Sequence, residues 1–288
     1  MFSKVLIPID FSEEGDRVLR FVKGLIPLGL GEVILIHCVD TARAVMWPLP
    51  EKMQAAIAAK LEERKAVMGV VGIKAGTVLA EGNPAQEVLR AAESLGVSLV
   101  VTGSHGKKLL EELLLGSVSE ALGRAAKAPV LMVRYDLLRD IEKEQPLEDY
   151  ARGIFKRILC PSDFSGASSD AVSLAVKLRK LGAEEATVLH IVDPKKVETE
   201  DEKAELIEVC AEEVEKAAKK MSKAGLPTVG VCRVGDPLRE ILATIDDVDA
   251  TILVMGSHGK SIVKEWLVGS VSLNAVRVAD RPALLVHE

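Results

Sequence analysis

Aromatic residues are scarce in this 288-residue chain, where Phe, Trp and Tyr together make up only 3%. Proteins that hold single-stranded nucleic acid stack bases on aromatic platforms, so that class is disfavoured. Basic blocks are missing too. The formal net charge is −6 with Lys and Arg dispersed, which offers no electrostatic footprint for a phosphate backbone. No apolar run approaches the ~20 residues that a membrane span requires. The amino terminus enters an apolar strand directly, without the charged and then apolar regions of a leader, so a cytoplasmic location is expected. The four cysteines, Cys38, Cys160, Cys210 and Cys232, show no CxxC or metal-ligand spacing. They read as small buried hydrophobes of a reducing compartment. There is no Gly-x4-Gly-Lys-Ser/Thr loop, and no Gly-x-Gly-x-x-Gly follows the first strand, so two common phosphate-binding schemes are absent. No Ser–His–Asp set, paired catalytic carboxylates or metal-ligand cluster stands out, and nothing demands catalysis.

What the chain does contain is one unit written twice. Asp10 of Pro-Ile-Asp-Phe-Ser and Asp163 of Pro-Ser-Asp-Phe-Ser stand 153 positions apart. The pairs His37 and His190, Gly82 and Gly235, Gly103 and Gly256, Gly116 and Gly269, and Pro129 and Pro282 keep the same offset. There is thus no net insertion between markers, and both halves should share one fold. The period is too long for a solenoid and right for a domain. The expected division is 1–135, a charged joining segment 136–153 with a short helix near Asp136 to Glu144, and 154–288.

Within each half, apolar strands alternate with helices. In the first half, strands are predicted at Lys4 to Ile9, Glu32 to Val39, Thr77 to Ala80, Val97 to Thr102 and Val130 to Val133. Helices are predicted from Ser12, over Glu51 to Met68, over Ala85 to Leu95, and after Ser117. Strands that are apolar on both faces, alternating with helices, argue for an open, doubly wound parallel sheet. In the second half the long helix is placed over Lys195 to Ala224 and read as an amphipathic surface helix.

Three repeated motifs fall at carboxyl ends of strands, where open α/β sheets bind ligands. They are Pro8-Ile9-Asp10, His37-Cys38-Val39-Asp40 and Gly103-Ser104-His105-Gly106. The last begins G-x2-G-x9-G-S, completed by Gly116-Ser117, and it returns as Gly256, Gly259, Gly269 and Ser270. Glycines between a strand and a helix start let backbone N–H groups approach an anion. Ser117 with Glu120 reads as a capping box, and the second half, with Ser270 and Leu273, lacks one. That difference hints that the two sites are not equivalent. His105 and His258 sit inside the turns, either as phosphate ligands or acids or as plain turn residues. His37 and His190 read as satisfied core histidines. Lys107, Lys108 and Lys260 either neutralise phosphates or are solvated. Asp40 and Asp193 either touch a ribose or cap a loop.

On these motifs each half resembles a universal stress protein domain. The likeness covers nearly all of the chain outside the joining segment. It implies tandem adenine nucleotide alpha hydrolase-like, Rossmann-like domains, each with a five-stranded parallel open sheet. It implies ATP, AMP or ADP in each half, with Mg or Mn carried by the phosphates rather than by a protein cage. By resemblance, Pro8 and Asp10, and Pro161 and Asp163, face the adenosine. The backbone of Cys38 and of Ile191 reads the adenine edge. Gly103, His105, Gly106, Gly116, Ser117, Val118 and Ser119 hold the phosphates in the first half. Gly256, His258, Gly259, Gly269, Ser270, Val271 and Ser272 do so in the second. The resemblance also implies association through strand five, Val130 to Val133 and Ala283 to Val286, as an intramolecular pseudo-dimer; a homodimer of the whole chain stays open. The role implied is regulatory, a stress-response protein. A slow ATP hydrolase or nucleotide-dependent transferase and a scaffold without nucleotide are the alternatives.

Overall fold

The repeated β–α order is realised in a computed structural model, which describes residues 1–42, 44, 48–69, 72–104, 115–197, 199–258 and 270–287. Two units separate at Arg152/Gly153. In the first, strands β1 (Lys4–Pro8), β2 (Glu32–Asp40), β3 (Lys74–Gly82), β4 (Leu99–Ser104) and β5 (Val130–Arg134) alternate with helices α1 (Glu13–Leu25), α2 (Glu51–Gly69), α3 (Pro84–Ser94) and α4 (Ser117–Ala125). The strands run parallel in the order β3-β2-β1-β4-β5. Val5, Leu6, Val33, Leu35, Val100, Val101, Leu131 and Val133 are buried to 1% exposure or less, as strands covered on both faces require.

Local chemistry explains the helix starts. Ser12 caps α1 by accepting from the Gly15 amide, and Glu13, Glu14 and Asp16 load its first turn with negative charge. Asn83 caps α3, with Pro84 at the first helical position. α4 differs from expectation. Its cap is Gly116, with no side-chain cap hydrogen bond, and Ser117 is already the first helical residue. Glu120 instead takes Arg124 as an i,i+4 partner at 2.7 Å. The chain enters the helix one residue early, so no capping box of the expected kind forms, and the asymmetry inferred from it has no basis.

The charged joining stretch folds as α5 (Tyr135–Glu142) and α6 (Leu147–Gly153). Both pack on α1. Arg17, only 10% exposed, donates to Glu142 at 2.8 Å, and Arg20 also pairs with Glu142. Gly24 lies so close to the Glu148 backbone that a Cβ there would come 2.2 Å from its carbonyl oxygen. Phe21 meets the ring of Tyr150 at 6.2 Å.

The second unit repeats the scheme with β6 (Arg157–Pro161), β7 (Glu185–Val192), β8 (Thr228–Val234), β9 (Ile252–Gly256) and β10 (Ala283–Val286), and helices α7 (Gly166–Lys177), α8 (Glu200–Lys223), α9 (Pro237–Asp247) and α10 (Ser270–Val278). Its order is β10-β9-β6-β7-β8, again parallel. The long helix starts later than predicted, at Glu200, because Thr199 caps it by accepting from the Glu202 amide; Pro194–Lys196 form a separate 3₁₀ turn capped by Asp193. Two cysteines also depart from the reading as plain hydrophobes. Cys210 on α8 and Cys232 on β8 are joined in a disulfide, while Cys38 and Cys160 are free. Spacing alone could not show it, since only the fold lays α8 over β8. Among the described residues no helix is long and apolar enough to cross a membrane.

Candidate functional site

In each unit the strand order reverses beside the first strand, between β1 and β4 and between β6 and β9. Ligands of open parallel sheets sit in the crevice beyond the carboxyl ends at such a point. Pro8 and Pro161 end their strands there, and Asp10 and Asp163 follow in the turn. Asp10 Oδ1 accepts from the Ser12 amide (3.0 Å) and hydroxyl (2.5 Å). Asp163 Oδ1 accepts from the Ser165 amide at 3.1 Å. Both aspartates are therefore held by the same turn that caps the following helix.

Between them and that cap stand Phe11 and Phe164, with φ of 62° and 59°, a left-handed conformation rare for a bulky residue. Each ring lies on a histidine, Phe11 on His37 at 4.3 Å and Phe164 on His190 at 4.8 Å. His37 Nδ1–H donates to the Ile9 carbonyl at 2.7 Å and His190 Nδ1–H to the Ser162 carbonyl at 2.6 Å. These histidines brace the strained turn, as residues satisfied within the fold. Burial holds the His37 imidazole below its ordinary value, against the pull of the Ile9 hydrogen bond and of Asp10. In the first unit Lys60 and Arg64 of α2 also reach over the Phe11 ring, at 5.8 and 5.4 Å.

Cys38 and Ile191 lie near the ends of β2 and β7. Burial, followed by the charges of Glu87, Asp40 and Glu81, pushes the Cys38 thiol up to about 11, so it is no nucleophile at neutral pH. Asp40 and Asp193 each accept from an amide two residues on, Ala42 at 3.1 Å and Lys195 at 3.0 Å, as loop-capping residues do.

The glycines that close β4 and β9 have a packing reason. A Cβ on Gly103 would come 2.0 Å from Cε1 of Tyr135, and one on Gly256 would come 2.9 Å from the backbone of Ala167 and Ser168. Gly103 makes room for an aromatic ring and Gly256 for the start of α7; neither contact requires an anion. Tyr135 was missed by sequence reasoning. Its phenol is pushed up to about 12, first by burial and then by the charges of Asp10 and Glu14. Ser119 and Ser272 also have structural bonds, donating to the carbonyls of Gly103 (2.7 Å) and Gly256 (2.8 Å) and tying helix to strand end. Val118 and Val271 sit in the first turns of α4 and α10, and Ser270 opens α10. His105, Gly106, Lys107, Lys108, Gly259, Lys260 and Gly269 lie outside the described residues.

In the second unit these positions converge. A cavity of about 620 Å³ opens at the carboxyl edge, lined by Pro161, Asp163, Ile191, Gly256, His258, Val271 and Ser272 among others. His258 Nδ1 shares a hydrogen bond of 2.8 Å with the Ser257 hydroxyl. The volume falls in the range of small-molecule pockets. One wall was not anticipated. Leu206, Val209, Cys210 and Glu213 of α8 line the cavity, with Pro237 and Ile241 of α9. α8 is therefore more than a surface helix. The available signal was Leu206 and Val209 themselves, apolar yet 40% and 50% exposed. Among the described residues no group of His, Cys, Asp and Glu is arranged to hold a metal ion.

Similarity to known proteins covers both units. The model of the universal stress protein family matches residues 1–134 and again 154–287. Universal stress protein MJ0577 of Methanocaldococcus jannaschii is 32% identical over 155 residues, covering 46% of this chain and 96% of that protein. A universal stress protein of Mycolicibacterium smegmatis is 24% identical over 98% of this chain and 96% of its own length. A crystal structure of a universal stress protein from Archaeoglobus fulgidus superposes with a TM-score of 0.77 at 24% identity, covering 100% of this chain and 99% of that one, and shares the fold.

Proposed function

Because the chain belongs to the universal stress protein family, as two such domains in tandem, we propose that it is a stress-response regulator that binds an adenine nucleotide in each half. The observation that carries this reading is the second-unit cavity, where seven residues singled out from sequence meet at one sheet edge. The lining suits such a ligand. Pro161, Leu206 and Val209 offer apolar surface to a base, the Ile191 backbone offers polar groups to its edge, and Asp163 offers a carboxylate to ribose hydroxyls.

The phosphates extend toward Gly256, His258, Gly259, Gly269, Ser270, Val271 and Ser272, where α10 begins. A helix start presents unpaired N–H groups to an anion. A divalent ion, Mg or Mn, arrives with the phosphates and supplies charge neutralisation there. The first unit uses Pro8, Asp10, Cys38, Gly103, His105, Gly106, Gly116, Ser117, Val118 and Ser119 in the same roles. Nucleotide occupancy sets conformation or partner choice. The apolar strands β5 and β10 pair the halves as a pseudo-dimer, on the argument that apolar sheet edges need partners.

Purified chain is denatured and the released small molecules are identified by mass spectrometry, alongside calorimetric titration with ATP, AMP and adenosine. Adenine compounds in the released fraction, or binding heats that weaken in Asp10→Ala and Asp163→Ala, support the reading. The absence of both released adenine compounds and binding heat at millimolar ligand refutes it.

A further inference from the structure

The 153-residue offset allows each pocket wall to be compared position by position, and α2 and α8 differ in sign. Lys60 of the first unit corresponds to Glu213 of the second, and Arg64 to Ala217. Both positions face the site. Lys60 Nζ lies 5.8 Å from the centre of the Phe11 ring, and its charge is felt by His37. Glu213 lines the second cavity together with Phe164 and His190. The first unit therefore brings a lysine and an arginine to the wall above the aspartate turn. The second brings a carboxylate, in a cavity whose described lining contains neither lysine nor arginine, while the strand-end aspartates are common to both units.

The partners of these charges do not cancel the contrast. Arg64 is held by Asp16 at 3.1 Å, which leaves the ammonium of Lys60 as the cation beside Phe11 that pairs with no carboxylate among the described residues. Glu213 pairs with Lys216 at 2.8 Å, but that is a solvent-facing i,i+3 pair with side chains 43% and 63% exposed. Such pairs are worth little and are screened by salt. A walled cleft lined by one sign of charge raises the local concentration of ligands of the other sign and repels its own.

We propose that the two pockets sort adenine ligands by charge: the first takes the polyanionic triphosphate, the second adenosine or its monophosphate, and Lys60 and Glu213 are the residues that set the preference. This rests on the nucleotide reading above and deepens it. Selectivity arises as much from repulsion of the wrong ligand as from attraction of the right one.

The test is calorimetric titration of the full chain with ATP, AMP and adenosine at low and high salt, for the native protein, Lys60→Glu and Glu213→Lys. Lys60 is exposed and Glu213 is 43% exposed, so both variants keep the core intact, and circular dichroism melts verify it. Native chain is expected to show one strong and one weak ATP transition, drawn together by salt, with adenosine preferring the second pocket. Lys60→Glu weakens the strong ATP transition, and Glu213→Lys strengthens the weak one, each by about tenfold, a modest estimate for charge reversal at pocket distances. Adenosine affinity changes little in either. Two equal ATP transitions, or folded variants that leave ATP binding unmoved, overturn the charge assignment while the nucleotide reading stands. Absence of binding by all three ligands refutes the nucleotide reading itself, and the assignment with it.

Discussion

Reduction of the Cys210–Cys232 bond should destabilise the second unit by about 3 kcal/mol. The bond closes a loop of sequence separation 22, and loop-closure entropy for a ring of that size is worth roughly 3 kcal/mol at 25 °C. Native packing does little to offset the loss. Cys210 is 2% exposed, whereas every residue of α8 before it is half-buried or exposed, so the bond is the first firm anchor of that helix. At about 3 °C per kcal/mol for a unit of this size, the melting transition of the second unit should fall by roughly 10 °C. The assay is differential scanning calorimetry with and without a phosphine reductant, repeated on Cys232→Ala. The variant lacks the bond but keeps the Cys210 thiol, so agreement between the two isolates the cross-link from side-chain loss. The first unit, whose Cys38 is free, serves as an internal reference. Thiol titration of unreduced, denatured chain should count two thiols, Cys38 and Cys160. Four thiols, or superimposable melts in reduced and unreduced samples, would refute the reasoning.

Gly103→Ala should destabilise the first unit by about 3 kcal/mol in urea unfolding, since its Cβ collides with the Tyr135 ring and overpacking of this kind costs a few kcal/mol. Adding Tyr135→Ala should recover part of that loss, and a strictly additive double variant would contradict the contact. Ser12→Ala should cost about 1 kcal/mol through loss of the α1 cap, read from the same urea midpoints, with Ser12→Thr costing less because it keeps the hydroxyl. The half-buried His37 has its folded pKa lowered from 6.5. Below pH 6.5 the unfolded chain therefore binds more protons, and stability present above that pH is lost as pH falls through the folded value. His37→Gln should flatten this acid-side decline; an unchanged slope would remove His37 from the account.

Much of the fold was legible because duplication acts as an internal control. A motif that recurs at a constant offset must occupy the same place in both units, and strand-end motifs of a parallel sheet converge on one edge by topology. Pro161, Asp163, Ile191 and Gly256, which line one cavity, can thus be grouped from the sequence alone. What escaped depends on contacts between elements remote in sequence. Gly103 carries the signature of a phosphate loop, yet the atoms nearest its missing side chain belong to Tyr135, beyond the following helix and strand. Likewise Cys210 and Cys232 have no motif spacing, and only the laying of α8 along β8 brings their sulfurs together. The start of α4 failed for a smaller reason. Ser117 has the chemistry of a cap, but the glycine before it takes the extended conformation that a cap needs. β3 is longer than predicted because Lys74, Gly76 and Glu81 interrupt any apolar signal along a strand that is buried only in part.

The clasp of α5 and α6 on α1 has a bearing on synthesis. These helices emerge after β5 and, apart from the last residue of α6, fall within the first unit. Arg17, Phe21 and Gly24 of α1 therefore find Glu142, Tyr150 and Glu148 before the later strands of the second unit have emerged. Domains of a growing chain fold in the order in which they appear. A nascent first half can thus seal the flank of α1 while the second is still incomplete, which disfavours strand exchange between two neighbours of like fold during translation.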